Sequence, residues 1–219
     1  VNSSERHEEQ SNYFAKAKYR AAADPVVAAY AVPKLKLIEQ IVPLSECSVL
    51  DVGCGNGVFS LYLKDRCLAV TGTDFSANML SENPCRRLVQ ADVAALPFSP
   101  ESFDVAFEAN VLHHVEQPKK VIAEMARASR RWLIFIEPNR NNPVMFLFGV
   151  LVKEERALLR SCSSYVDNLL QDCGLTVRLV CCTGLISQNN TPEALVPFLK
   201  RFDGEFSLGE YVIAVAEKT

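Results

Sequence analysis

From residue 48 onward, short apolar runs alternate with amphipathic stretches. Five runs read as strands, at about 48–53, 67–73, 87–91, 103–108 and 132–136. The last, Trp132 to Ile136, is apolar throughout, as a strand covered on both faces should be. Between the runs, apolar residues take helical spacing. Helices are predicted at about 57–65 (Phe59, Leu61, Leu63), at 77–82 behind Ser76 as N-cap, and from Pro118 to about Ser129, with Val121, Ile122 and Met125 on one face. A helix at 163–172 stops at Gly174. Two final strands follow at 175–183 and 210–217, joined by a Pro/Asn-rich segment and a short helix near 192–201. This alternation predicts an α/β fold, an open and mostly parallel sheet covered by helices.

Two segments stand outside the alternation. Residues 26–41 carry Val27, Tyr30, Leu35, Ile38 and Ile41 at largely helical spacing, interrupted by Pro33 and ended by Pro43. With the polar stretch before them (Tyr13, Phe14, Tyr19), they form an N-terminal helical segment over 1–43. Residues 138–162 form an insert: a polar turn, an apolar run from Val144 to Val152, then a charged run from Lys153 to Arg160. The insert is a candidate substrate cover or, equally, a helix packed on the core. The whole chain, 1–219, is expected to be one domain.

Composition narrows the class. Of 219 residues, 49% are hydrophobic and 22% charged, which suits a globular domain rather than a disordered chain. A net charge of -3 argues against a broad phosphate-binding surface, so no nucleic-acid partner is expected. None of the eight cysteines forms a C-x-x-C pair, and the three histidines complete no metal spacing, so no metal site is expected. The cysteines read as buried free thiols in a reducing compartment. Val1 to Gln10 is polar, without a signal-peptide pattern, and the run Val144–Val152 is far shorter than the roughly 20 residues of a membrane span. A cytoplasmic protein is expected; oligomeric state is not legible.

The candidate chemistry lies where the first strand ends. Val49-Leu50-Asp51-Val52 runs into Gly53-Cys54-Gly55-Asn56-Gly57, and Asp74 follows seventeen residues after Gly57. A glycine turn with a carboxylate at the end of the next strand builds a nucleoside-cofactor site. The spacing is G-x-G-x-G, and Val58 breaks the G-x-G-x-x-G of dinucleotide binders. The site therefore reads as one for S-adenosylmethionine. Val58 in that loop also argues against a nicotinamide-dependent reductase.

Four motifs carry a family resemblance. They are Val49–Gly57; Gly72 to Leu80 (GTDFSANML); Gln90-Ala91-Asp92-Val93 with Leu96-Pro97-Phe98; and Ser102-Phe103-Asp104-Val105 with Leu112-His113-His114-Val115. In this order and spacing the chain resembles the class I S-adenosylmethionine-dependent methyltransferases, especially the ubiquinone/menaquinone C-methyltransferase branch. The resemblance covers residues 45–137 well and the rest by architecture. It implies a Rossmann-like, doubly wound sheet of seven strands with the last one antiparallel. It also implies S-adenosylmethionine as cofactor and a small-molecule methyl acceptor.

The resemblance assigns roles residue by residue. Gly53, Gly55 and Gly57 let the backbone approach the ligand, and Cys54 lies in the same loop without a catalytic role. Asp51 and the Gly53 carbonyl would lie near the methionyl ammonium, with the following helix N-terminus adding N–H groups. Asp74 would accept the ribose hydroxyls. Phe75 and Met79 would cover the adenine or simply pack. Asp92 would accept from the adenine amino group beside the Val93 N–H, or cap a turn. Glu108 and Asn110 follow strand four at the ligand-binding edge. His113 or His114 is a candidate general base or cofactor wall. Glu137 is a candidate to orient substrate or accept a proton, with a cap or an Arg140 salt bridge as the plain alternative. Tyr13 or Tyr19 would cover the methionine end. The stretch Glu108-Ala109-Asn110-Val111 is not an Asn-Pro-Pro-Tyr amine site. Nothing separates an oxygen, nitrogen or activated-carbon acceptor, and a cofactor-binding accessory protein without transferase activity is the alternative.

Overall fold

The computed structural model describes residues 19–218. The readings at Tyr13 and the rest of 1–18 lie outside the described residues. Seven strands form one sheet: β1 Ser48–Val52, β2 Ala69–Asp74, β3 Leu88–Gln90, β4 Phe103–Ala109, β5 Ser129–Pro138, β6 Thr176–Thr183 and β7 Tyr211–Glu217. Their order is β3-β2-β1-β4-β5-β7-β6. β1 pairs parallel with β2 and β4, and β7 runs antiparallel to both β5 and β6. This is the Rossmann-like sheet with one reversed strand that the motifs imply.

Helices cover both faces: α1 Pro25–Ile38, α2 Ser60–Leu63, α3 Ala77–Glu82, α4 Pro118–Ala128, α5 Pro143–Leu151, α6 Ser163–Asp172 and α7 Val196–Leu199. The continuous apolarity of β5 has a structural reason. Trp132, Ile134 and Ile136 enter one core with Tyr30, Leu35 and Ile38 of α1. Leu133 and Phe135 enter the opposite core with Val121, Ile122 and Met125 of α4 and Leu170 of α6. Successive strand residues point to opposite faces, so a strand covered twice must be apolar at every position.

The structure departs from the sequence pattern at three helices. Pro33 lies inside α1 without interrupting it, and α1 ends at Ile38, five residues before Pro43. Burial of Tyr30, Leu35 and Ile38 on either side of the proline outweighs one forfeited helix bond. The helix expected at 57–65 shrinks to the four residues of α2, because Gly57 holds φ +87 and delays the helical turn. So short a helix brings no useful dipole to the loop before it. The segment near 192–201 is α7 flanked by 3-10 turns at Glu193–Leu195 and Lys200–Phe202. Among the described residues, no helix is long and apolar enough to cross a membrane.

α1 also buries a cation. Lys34 is 2% exposed, donates from Nζ to the Tyr30 carbonyl at 2.9 Å, and lies 3.9 Å from the Tyr30 ring centroid. Burial pushes its pKa down to about 7, while Glu210 and Asp203 pull it back up. The unfolded chain keeps this proton up to 10.5, so between 7 and 10.5 it binds more protons than the folded chain and stability rises with pH. We therefore expect Lys34→Met to be more stable than the parent at pH 6. The gap in urea-unfolding free energy should narrow by on the order of 5 kcal/mol as pH rises through that window. A gap that stays constant from neutral to alkaline pH would clear Lys34 of the effect.

Candidate functional site

β1 and β4 are neighbours in the sheet, but the chain winds away from them in opposite directions. Their carboxyl ends therefore open a crevice, the place where open α/β sheets bind ligands. A cavity of about 470 Å³ lies there.

Its first wall is the loop after β1. The N–H groups of Gly53 and Cys54 donate to the Thr73 carbonyl at 2.7 and 2.9 Å, tying the loop to β2. Gly53 holds φ +69, and a Cβ there would stand 2.4 Å from Val111 Cγ2. The Gly55 N–H donates to Asp74 Oδ2 at 2.9 Å, and the Ser76 N–H donates to Asp74 Oδ1 at 2.8 Å. The Phe75 N–H supports the same carboxylate, which lines the cavity. Burial raises the Asp74 pKa, opposed by these backbone bonds.

Asp51 is buried at the end of β1 and accepts from the Ser60 hydroxyl. Burial pushes its pKa up to about 7 against that hydrogen bond, with the Asp74 charge adding to the rise. Both aspartates line the cavity, with Cys54, Phe75 and Met79. Burial raises the Cys54 thiol, so it is no nucleophile at neutral pH. Asp92 and Val93 also line the cavity, and Asp92 Oδ1 accepts from the Ala94 N–H at 2.8 Å as a turn aspartate does.

The loop after β4 forms the floor. Asn110 holds φ +60, donates its N–H to the Ile136 carbonyl at 2.8 Å and its amide to Tyr30 Oη at 3.0 Å, and lines the cavity. Three expected site residues do not reach the wall. Gly57 faces Asn83 and Pro84, which a Cβ would meet at 2.6 Å, so it serves packing. Glu108 is fully buried and accepts from the Val111 N–H at 3.1 Å. Burial and the neighbouring Glu137 raise its pKa well above the carboxylate range, so it sits neutral behind the floor.

Glu137 is the third. It forms no pair with Arg140, whose guanidinium donates to the Leu159 carbonyl at 3.0 Å. Instead the Glu137 carboxylate accepts from the N–H groups of Leu112 and His113 at 3.0 and 3.1 Å, and contacts His113 Nδ1 at 2.8 Å. Burial opposes the charge on His113, but Glu137 and then Glu155 outweigh it and raise the pKa to about 9. Burial and the His113 charge push His114 down to about 3. Neither imidazole is thus poised near neutrality as a general base.

The far wall comes from the 138–162 insert. Met145 and Phe148 of α5, with Glu155 and Leu158 of the 3-10 turn Lys153–Arg160, line the cavity. Tyr19 and the segment Ser187 to Asn190 complete the mouth. Arg20 joins these two, its N–H donating to Asn189 Oδ1 at 3.1 Å. Motif reading missed Glu155 and 187–190, which match no local pattern; the polar Gln188-Asn189-Asn190 tract is their only mark in the sequence. It also missed a cluster, because spacing along the chain cannot see it: a ring nitrogen from each of His113 and His114 and a Glu155 oxygen all lie within 4.8 Å of one another.

Residues 50–133 match the methyltransferase domain family. The chain is 34% identical over 133 residues to a ubiquinone biosynthesis O-methyltransferase of Nitrosomonas europaea, covering 55% of this chain and 56% of that protein. It is 40% identical over 86 residues to a demethylmenaquinone methyltransferase of Renibacterium salmoninarum, covering 37% of this chain and 36% of that one. The chain thus spans about half or less of the length of these relatives. Its fold is similar to a crystal structure from Thermotoga maritima described as a SAM-dependent methyltransferase and possible histamine N-methyltransferase. That likeness has a TM-score of 0.68 and 18% identity, over 98% of this chain and 97% of that one.

The Gly53 turn is directly testable. Gly53→Ala should lower unfolding free energy by about 2 kcal/mol or more, from the left-handed backbone and the Val111 contact together. Adding Val111→Ala should recover the contact part and leave the backbone part. An unchanged urea midpoint in the single variant would contradict this account.

Proposed function

We infer that this chain, a member of the class I S-adenosylmethionine-dependent methyltransferases, transfers the cofactor's methyl group to a small, largely apolar or amphipathic acceptor. One observation carries the reading: a single cavity joins the Asp51–Asp74–Asp92 wall to the Met145–Phe148–Leu158 wall. The first wall suits a nucleoside bearing an amino acid. Gly55 holds φ +51, the left-handed backbone that favours glycine, with the end of the Met79 side chain 3.2 Å from where a Cβ would stand. When bound, the cofactor supplies an already activated methyl, so the protein's task is alignment and exclusion of water.

The chain's residues divide that task. Asp74 receives the ribose hydroxyls, held still by Gly55 and Ser76. Asp51 faces the amino-acid ammonium. Asp92 and the Val93 N–H read the adenine edge, and Tyr19 covers the methionine end. The insert supplies the acceptor's wall. α5 carries its apolar surface outward as well, with Val144 64%, Leu147 55% and Leu151 72% exposed, which favours an acceptor with a greasy portion. Quinone-pathway relatives agree with such an acceptor. The eight unpaired cysteines fit a cytoplasmic setting.

Calorimetric titration with S-adenosylhomocysteine tests the cofactor half. Binding is expected, and Asp74→Asn should weaken it about tenfold or more, the cost of roughly one charged hydrogen bond. Affinity should also fall as pH drops below about 7, because the buried Asp51 carboxyl must lose its proton to meet an ammonium. Asp51→Asn should bind weakly at every pH and lose that slope. No binding by the parent protein would sink the reading. Binding without transfer of labelled methyl to any of a panel of phenols, quinols, amines and enols would instead favour an accessory role.

A further inference from the structure

The His113–His114–Glu155 cluster is not needed to hold a nucleoside, yet it faces the same cavity. His113 Nε2 lies 3.7 Å and His114 Nε2 3.9 Å from the same oxygen, Glu155 Oε2. We propose that these three side chains bind one first-row divalent cation, with Zn²⁺ the natural fit, in the cavity wall.

The donor set is two imidazoles and one carboxylate, a combination that holds zinc while leaving coordination positions open. The separations are close to what is needed. Ligand atoms about 2.1 Å from a tetrahedral ion stand roughly 3.4 Å apart, so the two histidine–carboxylate pairs need close by only a few tenths of an ångström, and all three ligand atoms lie within 4.8 Å of one another. The second layer is already built. Glu137 holds His113 Nδ1 at 2.8 Å, which turns Nε2 toward Glu155, and Glu137 is itself fixed by the Leu112 and His113 N–H groups. Metal-bound histidines are oriented by such a carboxylate behind the ring. The His113 side chain is 4% exposed, His114 14% and Glu155 12%, so the ion would reach its ligands from the cavity alone.

Negative charge also favours a cation here. Glu137 lies 2.8 Å from His113 Nδ1 and Glu155 3.7 Å from its Nε2, so two carboxylates flank the site. The remaining coordination positions open toward the cavity and take an oxygen ligand. Metal binding stands independently of methyl transfer; that the oxygen belongs to the methyl acceptor rests on the transferase reading.

The experiment is titration of the chelator-treated full chain with Zn²⁺ by calorimetry and with Co²⁺ by visible absorption, without S-adenosylmethionine. One equivalent should bind. The cobalt complex should show d–d bands of nitrogen and oxygen ligation without the intense near-ultraviolet band of thiolate ligation. Acetohydroxamate should shift those bands by occupying the open positions. Glu155→Gln and His114→Gln should each weaken binding about tenfold or more, with thermal melts checking that each variant folds. If one variant does not fold, the other decides. No binding by the parent, thiolate bands, or parent-like affinity in a folded variant would overturn the site. Absence of an acetohydroxamate shift would overturn the open positions. A metal that binds while S-adenosylhomocysteine does not would refute the transferase reading and leave the metal site standing.

Discussion

The floor of the site depends on one buried carboxylate. Glu137 closes β5 and is 2% exposed, yet it accepts from two backbone N–H groups and meets one imidazole nitrogen. These contacts fasten the turn after β4 to the end of β5. They also supply the partners that a buried charge requires. Burial and the neighbouring Glu137 raise the pKa of Glu108 well above the carboxylate range. His113 lies between Glu137 and the cavity.

The other wall depends on a backbone constraint. The chain leaves β1 at Gly53 in the left-handed region, against Val111 of the β4 loop. Thr73 receives the two N–H groups exposed by that turn, and Asp74 receives the next at Gly55. Side chains of β2 and the β4 loop thus shape the β1 loop. The crevice between β1 and β4 is where the winding of the chain reverses, so no crossover covers it. The topology leaves the edge open; the glycine turn and the buried acids give it chemistry.

The insert closes the remaining side. Asn142 caps α5 through its side chain, accepting from Val144 and Met145, and its amide donates to the Leu208 carbonyl at 2.8 Å. Gly149 allows Leu158 and Leu159 to lie on the helix, since a Cβ there would meet them at 2.8 and 2.9 Å. That contact folds the 153–160 turn back and sets Glu155 and Leu158 into the cavity. The insert carries both an apolar wall and Glu155, whose carboxylate lies near both histidines.

Most of the fold was legible in the order of residues. Apolar runs marked the strands to within a few residues, and the glycine turn, Asp74 and Asp92 marked residues that line one cavity, because these features are local and short-range sterics enforce them. Where tertiary contacts outvote local preference, the sequence was silent or misleading. Core burial carried α1 through Pro33, and the backbone of Gly57 shortened α2. Glu108 and Glu137 look like site acids in the chain, but the fold turns them inward, where the Glu137 carboxylate is taken up by the turn after β4. Glu155 lies 41 residues beyond His114 and has no motif of its own. Its meeting with two histidines exists because the 153–160 turn folds back on α5 and packs against the turn Leu112–His114, a non-local contact that no spacing along the chain encodes.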